Sequence, residues 1–85
     1  MRELVRTSRY VASTHAVEEM EADGLTIFDV EHGILTGTIL ERQRDRRTGD
    51  RKYVIEGQTL DDENVHIVAK IGPTRKLVII TVYWV

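Results

Sequence analysis

Three histidines supply the groups best suited to proton transfer near neutral pH. His15, Glu19 and Asp23 recur every fourth residue, so on a helix successive pairs are neighbours along one ridge. Ala16, Val17 and Met20 centre the apolar face of that helix, and His15 and Glu19 lie away from it. His15 also falls in the first turn, where unpaired backbone N–H groups favour a bound anion. A carboxylate one turn on orients an imidazole and raises its basicity, which makes His15 an acid–base candidate with Glu19 behind it. The same spacing equally describes an exposed helix pair worth only about 0.2–0.5 kcal/mol. His66 stands between Val65 and Ile67 in an alternating run, so it points to the opposite face of a strand, as an acid–base group or a structural histidine. His32, between Glu31 and Gly33, is expected at the surface. His15, Glu19 and His66 together have the donors for a metal ion, but the lack of cysteine and of any close His pair argues for no metal.

A different chemistry is suggested by the cations. The net charge is −2, yet residues 10–41 hold seven acids and no Lys or Arg. Residues 42–52 carry Arg42, Arg44, Arg46, Arg47, Arg51 and Lys52 against Asp45 and Asp50, half of all 12 basic residues in one window. Arg2, Arg6 and Arg9 make the N-terminal segment basic as well. Such a patch can hold phosphates, or it can be a solvated hairpin whose Arg and Asp pair across strands. Cleaving RNA without a metal needs a base for the ribose 2′-hydroxyl, a cation for the phosphorane-like transition state and an acid for the leaving oxygen. Arg42, Arg44 and Tyr53 with His66 have the right functional groups. Tyr53, Tyr83 and Trp84 are the rings that can stack on a base, or simply pack across strands. No Gly-rich phosphate loop, nucleophile elbow or dinucleotide fingerprint is present, so no cofactor is expected.

The elements that must position these groups are readable. Ser13 or Thr14 caps a helix running to about Ala22, and Asp23-Gly24 stops it. Thr26 to Asp29 resembles a capping box for a second helix with Ile27, Val30 and Ile34 on its inner stripe. Gly37 is its stop, with Gly33 as an earlier end. Strands are expected over Ile39–Arg44, Arg51–Gly57, Val65–Ile71 and Leu77–Trp84, separated by turns at 46–50, 61–64 and 72–75. The last strand is apolar on both faces, as a central strand would be. Helices first and strands afterwards imply an α+β fold, two helices on one face of a four-stranded, mainly antiparallel sheet.

At 85 residues there is room for one domain, residues 1–85, burying about 60–65% of the surface its unfolded chain exposes. With 41% hydrophobic and 31% charged residues the composition is that of a globular protein. No run of about 18 apolar residues exists to span a bilayer, so no membrane partner is expected. The N-terminus lacks the apolar stretch of a signal peptide, and zero cysteines fit a reducing, cytoplasmic setting.

The ordered set Ser13-Thr14-His15-Ala16, Glu19-Met20, Asp23-Gly24-Leu25, Asp29-Val30-Glu31, Ile34-Leu35, Gly37 and Glu41 resembles the first half of the domain-of-unknown-function family DUF4258. Tyr53-Val54-Ile55, Gly57, Val65-His66-Ile67-Val68 and Ile79-Ile80-Thr81-Val82-Tyr83 resemble its second half, so the likeness covers about residues 10–83. The resemblance implies a RelE-like fold and the toxin half of a bacterial toxin–antitoxin pair, sometimes beside a YgiT-type zinc-finger antitoxin. It places the family's histidines at His15 and His66. Many relatives have Arg where this chain has Glu19 and Asp23, so here the first helix offers no arginine to a phosphate and the hairpin would have to.

Together these features predict a metal-independent RNA endonuclease. Its acid–base and supporting groups would be His15, His66, Glu19 and Tyr53. Its RNA contacts would be Arg42, Arg44, Arg46, Arg47, Arg51 and Lys52, and its partners RNA or the ribosome. The rival expectation is a non-catalytic module of the same fold that binds a partner protein or itself. The acidic first helix, the apolar last strand and the complementary basic hairpin favour that rival, a homodimer included.

Overall fold

A computed structural model describes residues 1–7, 10–72 and 74–85; Arg9 of the basic N-terminal segment and Pro73 of the expected third turn lie outside the described residues. The elements run α1 (Arg2–Arg6), β1 (Tyr10–Ala12), α2 (Thr14–Ala22), α3 (Ile27–Thr36), β2 (Thr38–Arg44), β3 (Arg51–Gln58), β4 (Asn64–Ile71) and β5 (Leu77–Trp84). Both long helices begin where their side chains can satisfy otherwise unpaired N–H groups. Ser13 Oγ accepts from Ala16 N, and Thr26 forms the full capping box with Asp29. Gly24, at φ +70°, ends α2 in the left-handed region that a side chain disfavours.

The sheet has five strands in the order β1-β5-β4-β3-β2. Strands β2 to β5 pair antiparallel as the hydrophobic pattern predicts, but β1 adds a parallel edge, Tyr10 to Ala12 against Leu77 to Ile79. The expected four-stranded sheet with two helices is therefore corrected to a five-stranded mixed sheet with three. The added pieces are one turn of helix and a three-residue strand, too short to show a period. No helix among the described residues is long and apolar enough to cross a membrane.

Alternation along β4 and β5 sets which face is inside. Val65, Ile67, Ala69, Leu77, Ile79 and Val82 are buried against Ala16, Met20, Val30 and Ile34 of the helices. Burying an aliphatic side chain of this size contributes about 1.5–3 kcal/mol, so this one layer dominates stability. Over β3, helix α3 approaches closely because neither surface has a side chain there. A Cβ on Gly57 would lie 2.7 Å from Gly33 Cα, and one on Gly33 would lie 2.8 Å from Ile67 Cδ1. Gly33, read from sequence as an early helix end, is instead the contact point of a helix that continues to Thr36.

Candidate functional site

Helices cover one face of the sheet, and the other is open. A bulge at Ile80 shifts the β4–β5 register, so Thr81 pairs with Val68 and Tyr83 with His66. Thr81 and Tyr83 thus project from the open face, two residues and roughly 7 Å apart along β5. Each belongs to a side-chain cluster containing one histidine.

The first cluster is carried by α2, whose N-terminus is fastened to the free edge of β5 beyond β1. Ser13 N donates to Ile79 O at 2.9 Å and Ser13 Oγ to Ile80 O at 3.1 Å. From there Glu19, 30% exposed, accepts a hydrogen bond from the Thr81 hydroxyl and holds His15 Nε2 at 3.2 Å. His15 itself is 68% exposed. Asp23, on the same ridge in sequence, is the C-cap residue and takes no part.

In the second cluster three neighbouring strands contribute one residue each to a row, Glu56 of β3, His66 of β4 and Tyr83 of β5. His66 Nε2 is 3.1 Å from Glu56 Oε2, Nδ1 is 3.4 Å from the Tyr83 hydroxyl, and the two rings meet edge to face at 5.3 Å. A carboxylate only accepts hydrogen bonds. In the neutral imidazole, Nε2 therefore carries the proton and Nδ1 the lone pair. The same argument holds for His15 on Glu19. In both histidines the hydrogen bond to a carboxylate assigns the proton of the neutral ring to Nε2 and leaves the basic nitrogen on the far side of the ring.

The other residues expected at the site lie elsewhere. Tyr53 packs against the hydrophobic core, and Arg42 and Arg44 line hollows on the helix side with Ile39, Tyr53 and Ile71. They and His66 are on opposite faces, because Arg42 pairs with Tyr53 in a sheet whose rows alternate. Arg46 and Arg47 are in the hairpin turn, and Arg51 pairs with Arg44. Of the hairpin cations only Lys52 shares the face of His66, opposite Lys70 in the register. His32, expected at the surface, is half-buried. His15, Glu19 and His66 do not form a metal-holding group, and no set of three or more His, Cys, Asp or Glu among the described residues does. Glu56, Thr81 and Lys70 were not legible as site residues, since only strand register places them. Tyr83 was legible as a ring but not as the partner of His66.

Two groups outside the clusters are perturbed. Asp29 lies below the usual carboxylate range because the Thr26 and Leu60 N–H groups donate to it, against a smaller desolvation. Burial and the Glu31 carboxylate push the Tyr10 phenol up to about 12, so it stays protonated at neutral pH.

The family model described as "Domain of unknown function (DUF4258)" matches residues 12–84. The chain belongs to the DUF4258 family. No curated protein and no solved structure matches it. The DUF4258 match spans α2 to β5, and so contains both histidine clusters and the bulge that aligns them, while α1 and nearly all of β1 fall before it.

Proposed function

We propose that this DUF4258 domain is a RelE-like, metal-independent RNA endonuclease, the toxin component of a bacterial toxin–antitoxin pair. The observation that carries the reading is the presence of two histidines, each held by a carboxylate, one on α2 through Thr81 and one on the open sheet face beside Tyr83, with Thr81 and Tyr83 two residues apart on a single strand. Transesterification of RNA fits such a pair. The ribose 2′-oxygen attacks phosphorus, forming the 2′-O–P bond as the P–O5′ bond breaks. One imidazole takes the 2′-hydroxyl proton at Nδ1, and the other, protonated, gives one to the departing O5′. Glu19 and Glu56 act as positioning residues that orient the two rings, and the long Tyr83 contact on Nδ1 is one a substrate oxygen can replace.

A cognate antitoxin of the YgiT zinc-finger type and the ribosome are the partners this reading brings with it. The rival, a non-catalytic interaction module, is favoured by one observation: Phe28 is 64% exposed on α3. The deciding experiment is induced expression in bacteria of the wild type and of a His15→Ala, His66→Ala variant, reading growth and messenger-RNA integrity. Arrest with fragmented message in the wild type alone is expected. Normal growth and intact message with abundant, folded wild-type protein would overturn the proposal and favour the interaction module.

A further inference from the structure

The arginines that do not reach the histidine face are themselves unusual. Among the described residues no arginine is ion-paired with a carboxylate; the three pairs present are His15–Glu19, His66–Glu56 and Lys70–Asp50. The acids of the hairpin are used otherwise. Asp45 accepts from the N–H groups of Arg47 and Thr48, and Asp50 holds Lys70. Arg44 and Arg51 stand directly opposite one another across β2 and β3, a like-charge placement that costs stability in a sheet. The corresponding Lys52–Lys70 juxtaposition on the open face is relieved by Asp50, whereas Arg44–Arg51 has no such relief.

These arginines border two adjoining open hollows that share Met1 and Glu3. One, of about 660 Å³, has Arg2, Arg6 and Arg42 at its margin; the other, of about 550 Å³, has Arg44, Arg51 and Arg75 beside Tyr53. Glu3 is the one carboxylate lining either hollow among the described residues, and Arg2 is tied to Gly37 O at 3.1 Å. A guanidinium is a planar fork that meets phosphate oxygens two at a time, and one without a carboxylate keeps both donors for a ligand.

We infer that the helix-side arginines Arg42, Arg44, Arg51 and Arg75 form a second, non-catalytic surface that grips the phosphodiester backbone of RNA. A phosphate between Arg44 and Arg51 replaces their repulsion with two attractions, and the Tyr53 ring beside them offers a base an apolar edge. Choosing RNA as the bearer of the phosphates rests on the reading of the open face; the arginine arrangement does not.

The test is fluorescence anisotropy with a labelled single-stranded RNA, titrated at several salt concentrations, on the wild type, Arg42→Ala/Arg44→Ala/Arg51→Ala, Lys52→Ala and His15→Ala/His66→Ala. The triple arginine variant is expected to bind about tenfold or more weakly, with its log–log salt slope shallower by roughly 2, near 0.7 for each of three lost contacts. The Lys52→Ala protein should bind within about twofold of the wild type, and the double-histidine protein should keep the wild-type salt slope. Because all three arginines are exposed, circular dichroism melting should show the triple variant folded, and Arg44→Ala alone should not lower the melting temperature. An arginine variant that binds like the wild type with an unchanged slope overturns the inference. Binding through the arginines without any cleavage would instead overturn the proposed activity and leave this surface standing.

Discussion

The two faces of the sheet treat ionisable groups in opposite ways. Glu56, His66, Tyr83 and Lys70 on the open face, and His15 and Glu19 on α2 beside it, each have a side-chain partner. At the helix-side end of the β2–β3 hairpin Arg42, Arg44, Arg51 and Arg75 have no carboxylate partner among the described residues. Partnering holds a proton-transfer group in one tautomer and one orientation, which acid–base chemistry requires. Leaving a guanidinium in water costs little and keeps it available for a mobile anion. The first region should therefore be sensitive to geometry, the second to charge and salt.

Four substitutions probe that contrast, and the largest effect should erase it. Gly57→Ala drives a methyl into the backbone of Gly33 and pushes α3 off β3. It should cost on the order of 3 kcal/mol or more in urea denaturation, and both faces should fail together. Glu56→Gln keeps the shape of the open face but presents an amide that can donate to Nε2 and reverse the tautomer of His66. Cleavage should fall by roughly 100-fold with an altered pH profile, while RNA binding stays as in the wild type. Arg44→Lys with Arg51→Lys keeps the charge and loses the fork. The salt slope of RNA binding should persist while affinity drops by less than about tenfold, and cleavage chemistry should be unchanged once RNA is saturating.

The smallest effect concerns the capping box that starts α3. Thr26→Ala should cost about 1 kcal/mol at neutral pH. Asp29 is held below its ordinary range when folded, so its contribution is present above the unfolded carboxylate pKa of about 4. It is lost as pH falls through the lower folded value. Urea midpoints at neutral and acid pH should show wild-type stability falling more steeply toward acid than that of Asp29→Asn, which lacks the contribution at both.

The sequence pattern reached the two main helices and the antiparallel strands because each is a local periodicity with its own punctuation. Ser13, Gly24 and the Thr26–Asp29 box fix ends with side chains close in sequence. It did not reach β1, whose three residues are a strand only because β5 offers an edge. The candidate site divides the same way. His15 with Glu19 is one helical turn and could be read directly. Glu56 and Tyr83 meet His66 only through cross-strand register, and Thr81 reaches the open face only through the bulge at Ile80. The arginine window was visible as charge. Its placement opposite the histidine face was not, because a strand's period gives alternation but not which set faces the helices.

The central claim is that the two carboxylate-fixed histidines cleave RNA through its own 2′-hydroxyl, and the most direct measurement is the chemistry of the ends produced. RNA newly fragmented on expression of the wild type should carry 2′,3′-cyclic phosphate and 5′-hydroxyl termini. These ends should be absent in cells expressing the His15→Ala, His66→Ala protein at the same level. Fragments with 5′-phosphate and 3′-hydroxyl ends, or unchanged fragmentation by the histidine variant, would contradict the account.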